Sequence, residues 1–250
     1  MVSKSQIKLL NSLSQKKYRA KNKMFRAEGV KLVKDILTSG IKPNYIFTTD
    51  PSLDFSGREF SEVPSSIIIP MDSATAKKCS LLSTPSTVIA IFDQPEFESR
   101  DLSGDLCLAL DGVSDPGNLG TIIRLADWFG IDTVYASPET VDVYNPKVVQ
   151  STMGSLARVS VEYTDLAELS AKAIEGGYHI SGTFMEGESI YEVESAKRLL
   201  IMGSEAHGIS AALQGSVTEK LTIPRFSEPG PESLNVAVAT SILISKLSTL

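Results

Sequence analysis

Several features that assign a chain to a common class are missing from this 250-residue sequence. No stretch approaches the roughly 18 uninterrupted apolar residues of a membrane-spanning helix, and the first residues lack the apolar core of a signal peptide. We therefore expect a cytoplasmic protein without a membrane partner. Only two cysteines are present, Cys79 and Cys107, and neither has a partner at metal-ligand or redox spacing. We accordingly expect neither a disulfide nor a metal site.

Nucleotide-binding fingerprints are also missing. The sequence contains no Gly-x-Gly-x-x-Gly motif and no Gly-x-x-x-x-Gly-Lys-Ser/Thr phosphate loop. The sequence therefore gives no motif evidence for a nicotinamide-dependent enzyme or for a triphosphate hydrolase.

Acidic residues are scarce at one end of the chain. Residues 1–34 hold ten Lys or Arg and a single acid, Glu28, whereas the remainder holds 14 bases and 29 acids. A basic N-terminal segment on an otherwise acidic chain favours contact with a phosphate backbone, because binding of Lys and Arg releases counterions from the polyanion and this lowers the free energy. The alternative is a solvated helix face. Tyr18 and Phe25 within this run either stack on bases or anchor the segment to its own domain.

The spacing of apolar residues predicts two domains. Helical spacing at residues 5–13 and 28–37, β-rich runs at 45–49, 67–69 and 88–92, and a helix at 74–81 indicate a small α/β unit. Residues 93–104 then contain Pro95, Glu98, Gly104 and further acids without apolar periodicity, which is typical of a linker. The predicted domains are residues 1–98 and residues 104–250.

Strands and helices alternate after the linker. Strands are predicted at residues 106–110, 133–136, 178–183, 199–202 and 221–223, and helices at 119–129, 148–156, 166–174 and 234–247. This alternation predicts an α/β domain with a mainly parallel sheet and helices on both faces, with ligands bound at the carboxyl ends of the strands.

Three polar, glycine-containing clusters follow predicted strands, at residues 111–124, 202–208 and 223–235. Taken singly, each has a structural explanation. Asn118 and Ser233 suit helix N-caps, Glu205 suits a helix N-terminus, and Arg124 suits a helix surface. His207 is expected to be a loop residue, and His179 a structural one within a strand.

The clusters together resemble the three ordered motifs of the SpoU/TrmH family of RNA ribose methyltransferases. The motifs are Asp-Pro-x-Asn-x-Gly-x-x-x-Arg (115–124), Gly-x-Glu-x-x-Gly (203–208) and Ile-Pro followed by Ser-Leu-Asn (223, 224 and 233–235). The resemblance runs from about residue 106 to the C-terminus and includes residues 146–154. Residues 25–31 are similar to the start of the ribosomal-protein-like substrate-binding domain that many members carry.

This resemblance implies a deep trefoil knot (the SPOUT fold) and a knot-bound S-adenosylmethionine. It also implies methylation of a ribose 2'-hydroxyl in structured rRNA or tRNA. By motif position, Gly203, Ile223 and Leu234 contact the cofactor. The residues expected around the reacting ribose are Asn118, Arg124, Glu205, Ser233 and Asn235.

The resemblance further implies a homodimer that pairs through the knotted region and the final helix, where Val236, Ala239, Leu243 and Leu247 follow helical spacing. The segment 223–234 departs from the family by about two extra residues and contains Pro229-Gly230-Pro231, which bears on how the cofactor is covered.

Two other functions stay open at this stage. One is a non-catalytic RNA-binding protein that keeps the methyltransferase fold. The other is an unrelated α/β enzyme that acts on a small metabolite, which the basic N-terminus disfavours.

Overall fold

A computed structural model describes residues 1–55, 63–97, 101–228 and 230–249. Glu98 and Pro229, which entered the sequence analysis, lie outside these ranges. Among the described residues no helix is long and apolar enough to cross a membrane. In chain order the helices and strands are α1 (Lys4–Ser12), α2 (Lys16–Asn22), β1 (Met24–Glu28), α3 (Val30–Thr38), β2 (Pro43–Thr48), β3 (Ile68–Pro70), α4 (Ser73–Cys79), β4 (Val88–Asp93), β5 (Leu106–Asp111), α5 (Pro116–Trp128), β6 (Thr133–Ala136), α6 (Pro146–Thr152), β7 (Ser160–Tyr163), α7 (Leu166–Glu175), β8 (His179–Ser189), β9 (Arg198–Gly203), α8 (Ala211–Gln214), β10 (Glu219–Thr222) and α9 (Val236–Leu247).

The chain divides into two compact units. The first comprises Met1–Phe97 together with Asp142–Arg158, and the second comprises the rest. The segment 142–158 therefore packs within the first unit, although the sequence prediction assigned it to the second domain. The division into a substrate-binding domain of residues 1–98 and a methyltransferase domain of residues 104–250 stays a prediction.

The first unit is built on a four-stranded sheet in the order β1-β4-β2-β3, in which only β2 and β3 are parallel. The central strand β4 is buried on both faces. Val88, Ala90 and Phe92 lie in a core shared with α3 and α6, whereas Ile89 and Ile91 lie in a core shared with α1 and α4. Side chains alternate across a strand, so burial of both faces explains why β4 is a continuous apolar run.

Two cations of the basic N-terminal run are buried. Arg19 donates from Nε and Nη2 to Asp142 Oδ2, at 3.0 and 2.6 Å, and from Nη1 to a backbone carbonyl. Arg26 pairs with Glu28 at 3.3 Å, and burial lowers the pKa of its guanidinium while the Glu28 charge opposes that shift. Neither α2 nor β1 was predicted from the sequence, because both lie inside this charged run.

The second unit contains a six-stranded sheet in the order β10-β8-β9-β5-β6-β7, and all its described pairings are parallel. The mainly parallel sheet predicted from the sequence is thus confirmed. From the central neighbours β5 and β9 the sheet extends in opposite directions, with β6 and β7 on one side and β8 and β10 on the other. Such a reversal of strand order is where open α/β sheets bind their ligands.

Helix boundaries differ from the prediction at two places in the second unit. Helix α5 begins at Pro116 and is capped by Asp115, whose carboxylate accepts from the backbone N–H of Asn118. Helix α9 is capped by Asn235. The alternative in which Asn118 and Ser233 serve only as N-caps is therefore wrong, because the side chains of Asp115 and Asn235 take these caps.

In the first unit, the helix predicted at 148–156 divides. It ends at Met153 and Gly154, which both have positive φ, and a 3₁₀ turn follows at Ser155–Ala157. A β-carbon on Gly154 would lie 2.7 Å from Asp35 Cβ, so only glycine permits this contact with α3.

We expect Asp142→Ala to lower the free energy of unfolding by about 3 kcal/mol, because it leaves the buried Arg19 guanidinium without its carboxylate. Urea denaturation would measure the change. Glu228→Ala is the control, since it breaks a longer and exposed ion pair with Arg225 and should cost under about 1 kcal/mol. Equal losses for the two variants would contradict a structural role of the Arg19–Asp142 pair.

Candidate active site

The site begins where β5 and β9 end side by side. Asp111, the last residue of β5, lies opposite Gly203, the last residue of β9. Asp111 is buried, and its Oδ2 accepts a 2.6 Å hydrogen bond from the backbone N–H of Ser210. This bond ties the chain that leaves β9 back to the end of β5. Asp111 was not among the predicted site residues, although a polar residue at the end of an apolar strand indicates such a position.

The turn after β9 is closed by two backbone hydrogen bonds between Ser204 and Gly208, each 2.9 Å long. Gly203 precedes this turn and is packed directly against it. A β-carbon on Gly203 would lie 2.1 Å from the carbonyl carbon of Gly208 and 2.3 Å from the nitrogen of Ile209. The turn therefore requires glycine at 203, and it leaves Glu205 exposed at its tip.

Three of the predicted site residues, Asn118, Glu205 and Asn235, form one hydrogen-bonded chain. Asn118 Nδ2 donates to Glu205 Oε1 at 2.6 Å, and Asn235 Nδ2 donates to Asn118 Oδ1 at 2.9 Å. Asn235 Oδ1 in turn accepts from the backbone N–H groups of Ala237 and Val238 at the start of α9. Because its oxygen caps the helix, Asn235 must present its NH₂ group to Asn118. Asn118 then has its own NH₂ group left for the Glu205 carboxylate.

A cavity of about 770 Å³ opens beside this chain. All three predicted cofactor residues, Gly203, Ile223 and Leu234, line it, and so do Glu205 and Ser233. Asn118 and Asn235 are not lining residues, so they reach the cavity through Glu205. Arg124 is exposed on α5, six residues beyond Asn118, and is not a lining residue either.

One wall of the cavity was not predicted. The pairing of β8 with β10 changes register between Lys220, which lies opposite Gly182, and Leu221, which lies opposite Glu188. The residues of β8 between these two pairs leave the regular ladder. Four of them face the cavity, namely Thr183, Phe184, Met185 and Glu186. The predicted strand at 178–183 stopped short of this excursion, because the polar residues that follow it resemble a loop.

The lining suits S-adenosylmethionine, which combines an apolar adenine with a cationic sulfonium. The volume lies within the range of pockets for small ligands and cofactors. Apolar side chains on the walls include Met202, Leu221 and Leu243, whereas Glu186, Glu205 and Glu232 supply carboxylates. Among the described residues no three His, Cys, Asp or Glu side chains group as a metal site.

The loop between β10 and α9 covers one side of the cavity and folds back on itself. Arg225 donates from Nη1 to the carbonyl of Pro231 at 3.5 Å and lies 3.7 Å from the Glu228 carboxylate. A β-carbon on Gly230 would lie 2.7 Å from Ser227 Oγ. These contacts fold the loop of residues 223–228 and 230–234 into an arch next to the cavity, and Pro229 lies outside the described residues.

A parallel sheet with this cavity at its carboxyl edge, between a Gly-x-Glu-x-x-Gly turn and a Ser-Leu-Asn segment, defines a cofactor-binding α/β enzyme. The sequence profile of the SpoU rRNA Methylase family matches residues 105–245, and that of the MRM3-like substrate binding domain matches residues 4–90. The chain belongs to the SpoU rRNA methylase family. It is an RNA methyltransferase that uses S-adenosylmethionine, and membership of the family implies the trefoil knot predicted from the sequence.

Individual relatives match over nearly the whole chain. The 23S rRNA (guanosine(2553)-2'-O)-methyltransferase RlmP of Bacillus subtilis is 31% identical over 96% of this chain and 95% of its own. The solved structure of a TrmH-family protein from Porphyromonas gingivalis is 38% identical, with a TM-score of 0.85 and coverage of 99% and 98%. An AdoMet-bound rRNA methyltransferase from Sinorhizobium meliloti is 26% identical, with a TM-score of 0.85 and coverage of 100% and 97%.

We expect Gly203→Ala to abolish measurable binding of S-adenosylmethionine and to lower the melting temperature, because its β-carbon overlaps the backbone of Gly208 and Ile209. Isothermal calorimetry and thermal unfolding would measure the two effects. Gly215→Ala is the matched control, since it adds the same methyl group with no atom within 4 Å. Normal cofactor binding by Gly203→Ala would show that the turn does not shape the cofactor site.

Proposed function

We propose that this protein transfers the methyl group of S-adenosylmethionine to a ribose 2'-hydroxyl of ribosomal RNA in the cytoplasm. The observation that carries the proposal is the hydrogen-bonded chain Asn235–Asn118–Glu205, which holds a carboxylate at the wall of the cavity. The names of the relatives from Bacillus subtilis and Sinorhizobium meliloti, both rRNA methyltransferases, support ribosomal RNA rather than transfer RNA.

The lining residues would share the work between cofactor and substrate. Gly203, Ile223 and Leu234 would hold the cofactor, which supplies an electrophilic methyl group when bound. Glu205 and Ser233 line the same cavity and carry oxygens that can accept a hydrogen bond from the ribose hydroxyl. Methyl transfer needs this hydroxyl oxygen in line with the methyl group at about 3 Å.

Asn118 and Asn235 would act as positioning residues. Their hydrogen bonds tie Glu205 to the N-terminus of α9, so the carboxylate is held in place before substrate arrives. Such preorganisation is worth more than contacts that must be assembled during the reaction.

Arg124 would complete the site from the substrate side. It is exposed on α5, where a planar guanidinium can hold a substrate phosphate through two parallel hydrogen bonds. Arg124 would then act either as the base that takes the proton of the ribose hydroxyl or by fixing that phosphate, whose oxygen takes the proton.

A purified-enzyme assay separates these proposals from their rivals. Labelled S-adenosylmethionine would be incubated with 16S rRNA, 23S rRNA and bulk tRNA from a strain that lacks the gene, with a ribonuclease-treated control. Label in ribosomal RNA at a ribose 2'-oxygen is the expected result. Label in tRNA alone would overturn the choice of RNA. Binding of RNA without any label would favour the non-catalytic alternative, and label that survives ribonuclease would favour a small-metabolite substrate.

We also propose that the first unit binds the RNA through its basic N-terminal residues. Arg19 and Arg26 are buried in ion pairs, so they do not serve this purpose. The exposed cations that remain in this run are Lys4, Lys8, Lys16, Lys17, Lys21, Lys23 and Lys31. Because Leu10 and Leu13 belong to the core, deleting the segment would disrupt the unit, and charge substitution is the appropriate test.

Replacing Lys16 and Lys17 together by Gln should weaken RNA binding and reduce the slope of log K against log salt by about 1 to 2, since each phosphate contact contributes about 0.9. Fluorescence anisotropy with an rRNA fragment at several salt concentrations would measure the slope. The adjacent exposed pair Lys77 and Lys78 on α4, changed in the same way, is the matched control and should leave the slope unaltered. Equal slopes for the two variants would place the RNA path elsewhere.

We further propose a homodimer in which α5 and α9 provide the partner surface. On α9, Val236, Leu243 and Leu247 are buried within the chain, so the predicted apolar stripe serves the core. Val238 of α9 and Trp128 of α5 are instead exposed, the latter by 84%, and the two helices pack on each other. A large aromatic side chain that is exposed on a helix of such a pair is suited to a subunit contact.

Sedimentation velocity of the wild-type chain at micromolar concentration should give a dimer. Trp128→Glu should shift it to monomer, because a charge would be buried without a partner in the contact. Ile174→Glu on α7 is the control, since it charges an apolar position that is also exposed, by 48%, but lies on a different helix. A wild-type monomer, or a dimer unaffected by Trp128→Glu, would contradict the proposal.

For Arg124 we expect both Arg124→Lys and Arg124→Ala to bind S-adenosylmethionine normally, because the residue does not line the cavity. Methyl transfer should fall at least about 100-fold in both, since an ammonium cannot reproduce the planar two-pronged donor and a positioned proton-transfer group is worth at least that factor. Single-turnover transfer to rRNA would be measured beside calorimetry of cofactor binding. Near-normal transfer by Arg124→Lys would reduce Arg124 to a generic positive charge.

A further inference from the structure

Phe226 lies on the arch between β10 and α9 with 90% of its surface exposed. The arch is held closed by contacts of Arg225, the residue just before it, with Glu228 and Pro231. Ser227, the residue just after it, is packed against Gly230. Phe226 is therefore exposed on a loop whose neighbouring residues contact one another.

Phe226 is not a lining residue of the cavity, but Arg225, the residue immediately before it, is. Two apolar side chains of the lining are also exposed, Met185 on the β8 excursion by 66% and Leu234 at the end of the arch by 46%. Single exposed apolar residues need no explanation, but an exposed aromatic ring that directly follows a cation of the cavity wall is suited to a nucleobase.

The reaction itself creates the need for such a surface. The ribose 2'-oxygen has to come within about 3 Å of the methyl group in the cavity, and a nucleotide that is drawn out of its stacked neighbours can enter the cavity to that depth. Unstacking costs free energy, and an aromatic side chain at the entrance can restore part of the lost stacking. Arg225, beside the ring, would add attraction to the RNA backbone.

We propose that Phe226 stacks on a nucleobase of the RNA substrate, at the nucleotide that is methylated or at its direct neighbour. The proposal rests on RNA methyl transfer at this cavity. It assigns the extra length of the segment 223–234 to substrate recognition, whereas cofactor contact belongs to the cavity wall at Gly203, Ile223 and Leu234.

The first test compares Phe226→Ala, Phe226→Leu and Phe226→Trp in the full-length chain. Leu keeps an apolar side chain without a π face, and Trp keeps the π face. We expect kcat/KM for rRNA to fall about tenfold to 100-fold for Ala and Leu and to stay within about threefold for Trp. Binding of S-adenosylmethionine should be unchanged in all three, and Phe97→Leu, at another exposed phenylalanine, should change neither quantity.

Three results of this comparison would overturn the proposal. Full activity of Phe226→Leu would show that the ring is not used. Loss of cofactor binding in Phe226→Ala would assign the residue to the cofactor site. A change of oligomeric state in sedimentation would assign it to a subunit contact.

A second test does not depend on turnover. The wild-type chain has a single tryptophan, Trp128, so the additional emission of Phe226→Trp reports on position 226. Stacking predicts that the single-stranded oligonucleotide (rA)8 quenches this additional emission and leaves that of the wild-type chain unchanged. Absence of quenching while (rA)8 is bound, as judged by anisotropy, would overturn the proposal. Quenching without methyl transfer to any RNA would instead leave stacking in place and refute the proposed function.

Discussion

The amide of Asn118 connects three segments that are far apart in the sequence. It receives a hydrogen bond from Asn235 and gives one to Glu205, so the start of α5, the turn after β9 and the start of α9 are held together. An asparagine side chain can do this because it carries a donor and an acceptor on one rigid group. Aspartate at 118 would lack the donor and would place a second carboxylate beside Glu205. Glu205 lies on an exposed turn, so its position at the cavity wall depends on the hydrogen bond from Asn118.

Family motifs made this site predictable as a set of residues, but not as a geometry. Asn118, Glu205 and Asn235 were expected together, and the structure brings them into hydrogen-bond contact. Local rules alone offered a different alternative, in which Asn118 and Ser233 serve as N-caps. That alternative was wrong, since Asp115, three residues before Asn118, takes the first cap and Asn235 rather than Ser233 caps α9. Local propensity cannot decide between two nearby candidates for an N-cap, because the choice depends on which of them forms hydrogen bonds with a distant segment.

Long-range packing also explains what was missed. Whether a basic residue faces solvent or a buried carboxylate cannot be seen in a charge count. The partner of Arg19 is Asp142, which lies 123 residues further along the chain. The contribution of α6 to the first unit was missed for the same reason, since α6 is far in sequence from the strands on which it packs. Apolar periodicity, by contrast, is a local property, and it predicted β2, β4, β5, β6 and α7 to within one or two residues.

The sheet of the second unit contains an ion pair at its amino end and an interruption in the pairing of β8 with β10. At the amino end of the sheet, Glu219 of β10 accepts from the Nε and Nη2 atoms of Arg198 on β9, at 2.9 and 3.1 Å, and from the Ser181 hydroxyl of β8. Burial disfavours the charge on Glu219, but these hydrogen bonds and the Arg198 charge outweigh that effect, and the pKa of the carboxyl lies below its ordinary value.

The Ser181 hydroxyl, which donates to Glu219, joins β8 to β10 where the two strands begin. Glu219 lies opposite Ser181 and Lys220 opposite Gly182, and beyond that point β8 leaves the ladder until pairing resumes at Glu188 and Ser189. The residues 183–186 that form a wall of the cavity therefore lie between two paired stretches of the same strand. Because the strands are paired on both sides of this interruption, β8 can give up its pairing there and present side chains to the cavity.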